Sequence, residues 1–268
     1  MTMRTSTNLI SGPALRHAPV WLGMAAVAAV SWFLLVQMDA SMSAMGSNGM
    51  VEDSIAMGAG GSGLGLFLAT FAMWAVMMVA MMLPTVVPSA TLFSTLAARR
   101  HAPSSNLTTT MYIAGYTACW LLFAAPAAAL QSALTNSALI DAMAQSTNAL
   151  LSAVILLTAG LYQFSPLKTA CLAKCRSPLA YFMAQWRDGA GGALMLGIRH
   201  GGYCVGCCWA LMAMMFVVGA MNLVWMGVLT FLVLSEKVVP PAWRIDRITG
   251  VALVISGLWM GALALLAH

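Results

Sequence analysis

Charge is what this sequence has least of: 7% of its 268 residues are Asp, Glu, Lys or Arg, against roughly a quarter in a soluble domain, too few to clothe a surface facing water. Polar stretches are equally scarce, and 61% of the chain is hydrophobic. A water-soluble globule is thereby excluded. A membrane β-barrel is excluded too, because the period-two alternation that its strands require is missing. There is no glycine-rich phosphate loop, no Ser–His–Asp arrangement and no pair of carboxylates inside an apolar run. ATP-driven pumping by this chain alone is therefore ruled out, and no catalytic residues or organic cofactor site are assigned. The last apolar run holds no Lys, which removes a retinal-type seven-helix photoreceptor.

What is present is a series of apolar runs of spanning length, for which about 17–25 helical residues are needed. They lie at 18–37, 64–83, 111–134, 148–164, 203–220 and 249–267, with a shorter one at 223–235. The expected fold is all-α, a polytopic transmembrane helix bundle of about seven spans. Lys and Arg beside spans stay on the cytoplasmic side. Threading seven spans with the N-terminus inside and the C-terminus outside puts all 12 basic residues inside, together with Asp188, Glu236 and Asp246, and puts Asp39, Glu52, Asp53 and Asp141 outside. The formal charge of +5 thus reports topology and anionic lipid, and does not argue for nucleic acid. The organisation that follows is a cytoplasmic tail 1–17, a first transmembrane helix 18–37, a flexible Met-rich outer loop 38–63, and a six-helix membrane domain 64–268 with an inner, Cys-containing segment 165–202. A cleaved secretory signal is the alternative account of the first run, and it leaves the later topology unchanged. Pro84 and Pro88 are expected to kink or end the second span, and Pro126 to kink the third. A turn at Ala220-Met221-Asn222 closes a hairpin, with Trp225 as an interfacial aromatic. Gly257-x-x-x-Gly261 allows the last helix a close approach to a neighbour.

Two soft-ligand patterns stand out from this background. The sequence has 23 Met. Met38, Met42, Met45, Met50 and Met57 sit in the outer loop, where there is no core to fill. Met73, Met77 and Met81 recur every four residues in the second span, with Met78 and Met82 beside them. Steps of four advance only about 40° on a 3.6-residue helix, so they form a ladder on one face. Thioethers suit monovalent copper, while packing of irregular gaps is the plainer account of the same stripe. Of the 6 Cys, five converge on two consecutive spans. Cys171 and Cys175 are four apart, and Cys204 lies three and four from Cys207 and Cys208, so each set shares a helix face. With the fifth span starting near Cys204, the two sets are expected to meet at the inner membrane surface. Lys168, Lys174, Arg176 and Arg199 supply counter-charge for thiolates, the ligands of zinc and of monovalent copper. Cys119 reads as a small buried hydrophobe. His200, four before Cys204, is the one histidine placed to join the site, while His17, His101 and His268 lie apart. Glu236-Lys237 reads as a surface or interfacial pair.

The residues Trp74, Met77, Met78, Ala80, Met81, Met82 and Pro84, then Gly115-Tyr116 with Trp120, then Gly160-x-Tyr162-Gln163-x-x-Pro166-Leu167-Lys168-x-x-Cys171-x-x-x-Cys175-Arg176-x-Pro178, and Gly201-x-x-Cys204-x-Gly206-Cys207-Cys208-Trp209 carry a resemblance. Together with Met221-Asn222-x-x-Trp225-Met226 and Glu236-Lys237, they resemble a bacterial domain-of-unknown-function family described as predicted metal-binding integral membrane proteins, some members of which are labelled copper chaperones. The resemblance runs from about Gly65 to Gly261. It implies a multi-pass bacterial inner-membrane location and metal binding, and it does not imply a particular activity.

Three readings of the chemistry remain. In the first, monovalent copper moves along relay ligands Met73, Met77 and Met81 to an inner site of Cys171, Cys175, Cys204, Cys207 and Cys208, and is transported or handed on. Its partners are the lipid bilayer, a copper chaperone or cuproprotein and, in an oligomer, further copies of the chain. In the second, a structural zinc–thiolate site ties the inner segment to the bundle. The third, the enzymatic alternative, is a thiol–disulfide oxidoreductase using Cys204-x-x-Cys207 or Cys207-Cys208. A structural disulfide is disfavoured on a reducing face.

Overall fold

Except at 148–164, the apolar runs fold as helices that outlast them at one or both ends. The computed structural model of the protein describes residues 18–46, 63–100, 105–140, 145–220 and 222–266. In chain order these form α1 (Ala18–Gly46), α2 (Gly63–Arg99), α3 (Ser105–Asn136), α4 (Ala149–Gln163), α5 (Pro166–Arg176), α6 (Pro178–Gln185), α7 (Gly189–Ala213), α8 (Met215–Val218), α9 (Leu223–Val238), a 3-10 turn (Pro241–Trp243) and α10 (Ile245–Leu266). The tail 1–17, Met50, Met57 and Met221 lie outside the described residues. Because α1 runs on to Gly46, Met38, Met42 and Met45 stand on a helix and not in the loop expected there.

Five helical stretches are long and apolar enough to cross a membrane, with α7 continued through α8 counted as one. A sixth is counted if α4 and α5, which meet at 62°, make one broken span. About seven were expected. The run at 223–235 becomes α9, 16 residues long, or about 24 Å, which is less than the roughly 30 Å hydrocarbon core. The α4–α5 elbow has a local cause. The residue before a proline is pushed out of the helical region, so Ser165 is extended, accepts a hydrogen bond from the Leu167 N–H and restarts the chain with Pro166 in the first turn. Asn222 caps α9 by accepting from the Trp225 N–H, which makes the expected turn a helix start.

Pro84 does not end the second span, since α2 continues through Pro84 and Pro88 to Arg99. A helical proline leaves the carbonyl four residues earlier without its donor, and for Pro84 that carbonyl is Ala80 O. It is taken instead by the indole N–H of Trp32 on α1, at 3.1 Å. The proline thus ties α1 to α2.

Two helix interfaces position the site. On α3 and α7 the backbones nearly touch: a Cβ on Gly197 would lie 2.1 Å from Tyr112 O, and one on Gly201 would lie 2.9 Å from Tyr116 O. Glycines four apart on α7 therefore face tyrosines four apart on α3. On the other side, α10 packs on α4, where a Cβ on Gly257 would lie 2.9 Å from the Leu157 side chain, as its small-residue pattern predicts. Gly261 is looser, with Ala153 Cβ at 3.5 Å.

Replacing Trp32 with Phe should cost roughly 1–3 kcal/mol of stability, the penalty for a buried carbonyl left without a donor. In a Pro84→Ala background residue 84 regains its N–H, and the same change should cost little. Unfolding in detergent, run as a double-mutant cycle, measures this; equal costs in the two backgrounds would show that the indole bond does not carry the link.

Candidate metal centre

The helix that carries three of the thiols starts earlier than its apolar run. The stretch from Gly189 is interrupted by Arg199 and His200 and falls in the inner segment 165–202, outside the expected spans. Both side chains are satisfied within the protein, Arg199 on Gln185 Oε1 and His200 Nδ1 on Tyr112 OH at 2.9 Å, so α7 runs unbroken from Gly189. Cys204 consequently stands midway along the candidate span Gly189–Val218, about 22 Å from its start at 1.5 Å per residue. The thiols lie inside the bundle, with Cys204 beside Lys237, one residue before the end of α9.

The Sγ atoms of Cys204, Cys207 and Cys208 all lie within 4.8 Å of one another, and all three residues are buried. Cys204 Sγ and Cys208 Sγ are 4.0 Å apart. Four sulfurs held tetrahedrally at about 2.3 Å from an ion stand ~3.8 Å apart, so small rotamer changes bring the thiols to ligand spacing. α5 brings a fourth thiol alongside, the buried Cys175, which interacts electrostatically with Cys204 and Cys207 while standing outside the closest group of three. Cys171, one turn earlier, is half-exposed and packs against Gly206, where a Cβ would lie 2.9 Å from its Sγ. The hydroxyl of Tyr162 donates to the Gly206 carbonyl. All five clustered cysteines therefore converge, four in the interior and one at the edge. Cys119 stands apart, donating its thiol to Ile198 O at 3.0 Å. All six are free thiols.

Lys237 supplies the charge at this centre. Its ammonium donates to Cys204 Sγ at 3.1 Å and to Thr85 Oγ1 at 2.8 Å, and Tyr116 OH lies 3.0 Å from the same sulfur. Thr85 Oγ1 also lies 3.9 Å from Met82 Sδ, which links a thioether of α2 to the thiols. The expectation of a surface Glu236-Lys237 pair is overturned. Glu236 instead binds Lys168 of α5 through both carboxylate oxygens, at 2.9 and 2.7 Å, and both side chains are only 1% exposed. Arg176 adds a bond to the Glu236 carbonyl at 2.6 Å. A buried ion pair is tolerated only while its two charges meet; Glu-Lys at the end of an apolar run was the available signal. Nothing in the sequence pattern singled out Thr85, and Met82 stood out only as a neighbour of the ladder.

Of the ladder residues, Met77 and Met81 are fully buried in α2 and Met73 is half-buried. Met78 and Met82 are buried beside them, so thioethers fill more than one row of the helix. His200 is enclosed edge-on by the rings of Tyr112, Tyr116 and Tyr181. Its one bonded nitrogen is committed to Tyr112, and it serves as packing beside the thiols. On α6, outside the candidate spans, burial pushes the Tyr181 phenol up to about 12, so that ring is uncharged at neutral pH.

With this geometry in hand, comparison with known families gives one finding: the profile of the PpoB2 family, described as copper chaperone, matches residues 71–260. No curated protein matches, and no solved structure matches. The matched stretch contains every thiol described above, together with Thr85, Tyr116 and Lys237.

Maleimide treatment of the folded, reduced protein should label Cys119 and Cys171, and should reach Cys175, Cys204, Cys207 and Cys208 only after denaturation; intact mass counts the adducts. Labelling of all six in the folded state would contradict the burial. Glu236→Gln, which strands the Lys168 ammonium, should destabilise by roughly 3–5 kcal/mol. Removing both charges with Lys168→Met and Glu236→Gln should restore most of that loss in thermal unfolding.

Proposed function

Since the chain belongs to the PpoB2 family of copper chaperones, we propose that it binds monovalent copper at Cys175, Cys204, Cys207 and Cys208 and transports the ion or hands it to a partner. The ion is cargo and not a resident cofactor. One observation carries this reading: three buried thiols within reach of a single ion, with a fourth beside them. Soft thiolates select monovalent copper and zinc over hard cations.

Charge favours copper between those two. Two thiolates around a monovalent ion carry one net negative charge, and one ammonium, Lys237, stands at the sulfurs. A zinc tetrathiolate carries two negative charges in the same apolar surroundings, where uncompensated charge is costly. Lys168 is already neutralised by Glu236. Zinc remains the second reading because the donor set numbers four.

The route to the centre follows the soft donors. Met73, Met77 and Met81 line α2 below Met82, whose thioether reaches Thr85, and Cys171 stands at the half-exposed edge of the cluster. In this reading the thioethers are relay ligands, Cys171 exchanges the ion with a soluble cuproprotein or chaperone, and the protein sits in a bacterial inner membrane with its N-terminus cytoplasmic.

Metal analysis of the anaerobically reduced protein tests the reading. Stoichiometric copper is expected in the wild type and its loss when Cys204, Cys207 and Cys208 become Ser. Stoichiometric zinc that does not yield to copper would favour the structural site. Absence of bound metal, with a disulfide cycling in vivo, would turn the assignment to thiol exchange.

A further inference from the structure

The elbow between α4 and α5 borders a second site, lined by none of the thiols. A cavity of about 370 Å³ lies there, lined by Gln163 and Phe164 from the end of α4, Thr169 and Arg176 from α5, and Pro241, Arg244, Asp246 and Arg247 around the start of α10. Its volume lies in the range of small-ligand sites. Three guanidinium groups border it against one carboxylate. Arg176 is engaged with the Glu236 carbonyl and, at 3.7 Å, with Asp246, whereas Arg244 and Arg247 make no side-chain hydrogen bond or ion pair among the described residues. Arg244 holds φ at +44°, a left-handed conformation that L-residues other than Gly, Asn and Asp seldom adopt. Directly after it comes the N-terminus of the 22-residue α10, whose unpaired N–H groups favour an anion. Gln163, 2% exposed in the same wall, has an unpaired side-chain oxygen, an acceptor that does not bind an anion and leaves recognition to the guanidinium groups.

Phe164 in the cavity wall is 47% exposed, and Trp243 and Ile248, next in sequence to the lining residues Arg244 and Arg247, are 70% and 66% exposed. Exposed Trp beside basic residues is the signature of a membrane–water interface, and a basic pocket between spans is where anionic headgroups bind. We propose that this cavity binds the phosphodiester headgroup of an anionic phospholipid, with Arg244 and Arg247 on the phosphate and Phe164, Trp243 and Ile248 along the acyl chains. The assignment is independent of which metal, if any, the thiols hold.

Native mass spectrometry of the delipidated protein, titrated with phosphatidylglycerol or phosphatidylcholine, tests it. The wild type should prefer phosphatidylglycerol, and Arg244→Gln with Arg247→Gln should weaken that binding roughly tenfold or more. Phosphatidylcholine binding and thermal unfolding in detergent should be unchanged, which separates loss of the site from loss of the fold. A single variant, Arg247→Lys, should bind between the two if the double variant proves unstable. Equal binding of the two lipids, or wild-type affinity in both variants, overturns the proposal. Displacement of phosphatidylglycerol by inorganic phosphate at equal concentration would also overturn it, because the site would then recognise free phosphate.

Discussion

Two charges that water never reaches, the Lys168 ammonium and the Glu236 carboxylate, hold this structure in register. Their desolvation is tolerable only while they face each other, so α5 and α9 can dock in one way. That docking fixes two further things. It lays Cys175 against the α7 thiols, and it points the next residue of α9, Lys237, at Cys204 instead of at Glu236. Adjacent residues on a helix point about 100° apart, and the protein uses that divergence to give each charge its own partner.

The tyrosines of α3 complete the frame from the other side. The missing side chains of Gly197 and Gly201 let α3 settle onto α7 until Tyr112 meets His200 and Tyr116 meets Cys204. Position in the bundle, more than local sequence, thus decides which donors surround the sulfurs. The result is a polar pocket of thiols, a phenol, a hydroxyl and one ammonium inside an apolar bundle, with a thioether at its margin. Such a pocket stays dry and cohesive only if each polar group is satisfied by another, and the Thr85, Tyr116, Lys237 and Cys204 contacts close on one another in that way.

Much of this could be read from the chain. Scarcity of charge gave the helical bundle, and thiol spacing on two neighbouring segments gave the convergence of Cys171, Cys175, Cys204, Cys207 and Cys208. The start of α7 could not be read. Arg199 and His200 look like the end of an apolar run until Gln185 and Tyr112, 14 and 88 residues away in sequence, are known to satisfy them. Pro84 reads as a kink or an end for the same reason, since its compensating donor, Trp32, lies on another helix. Glu236 and Lys237 were misread because adjacency in sequence was taken for partnership. In each case the missing information is a long-range partner for a polar group, which local pattern does not encode.

The burial of Cys204 within a candidate span has an electrical consequence. Moving a unit charge through the whole membrane potential is worth about 2.3 kcal/mol per 100 mV, so a monovalent cation reaching these thiols from one face would gain or lose the share of that drop it had crossed. A share of one half would change occupancy roughly sevenfold per 100 mV. An energised membrane would load such a protein from its positive side and resist its discharge in that direction, with no gate required.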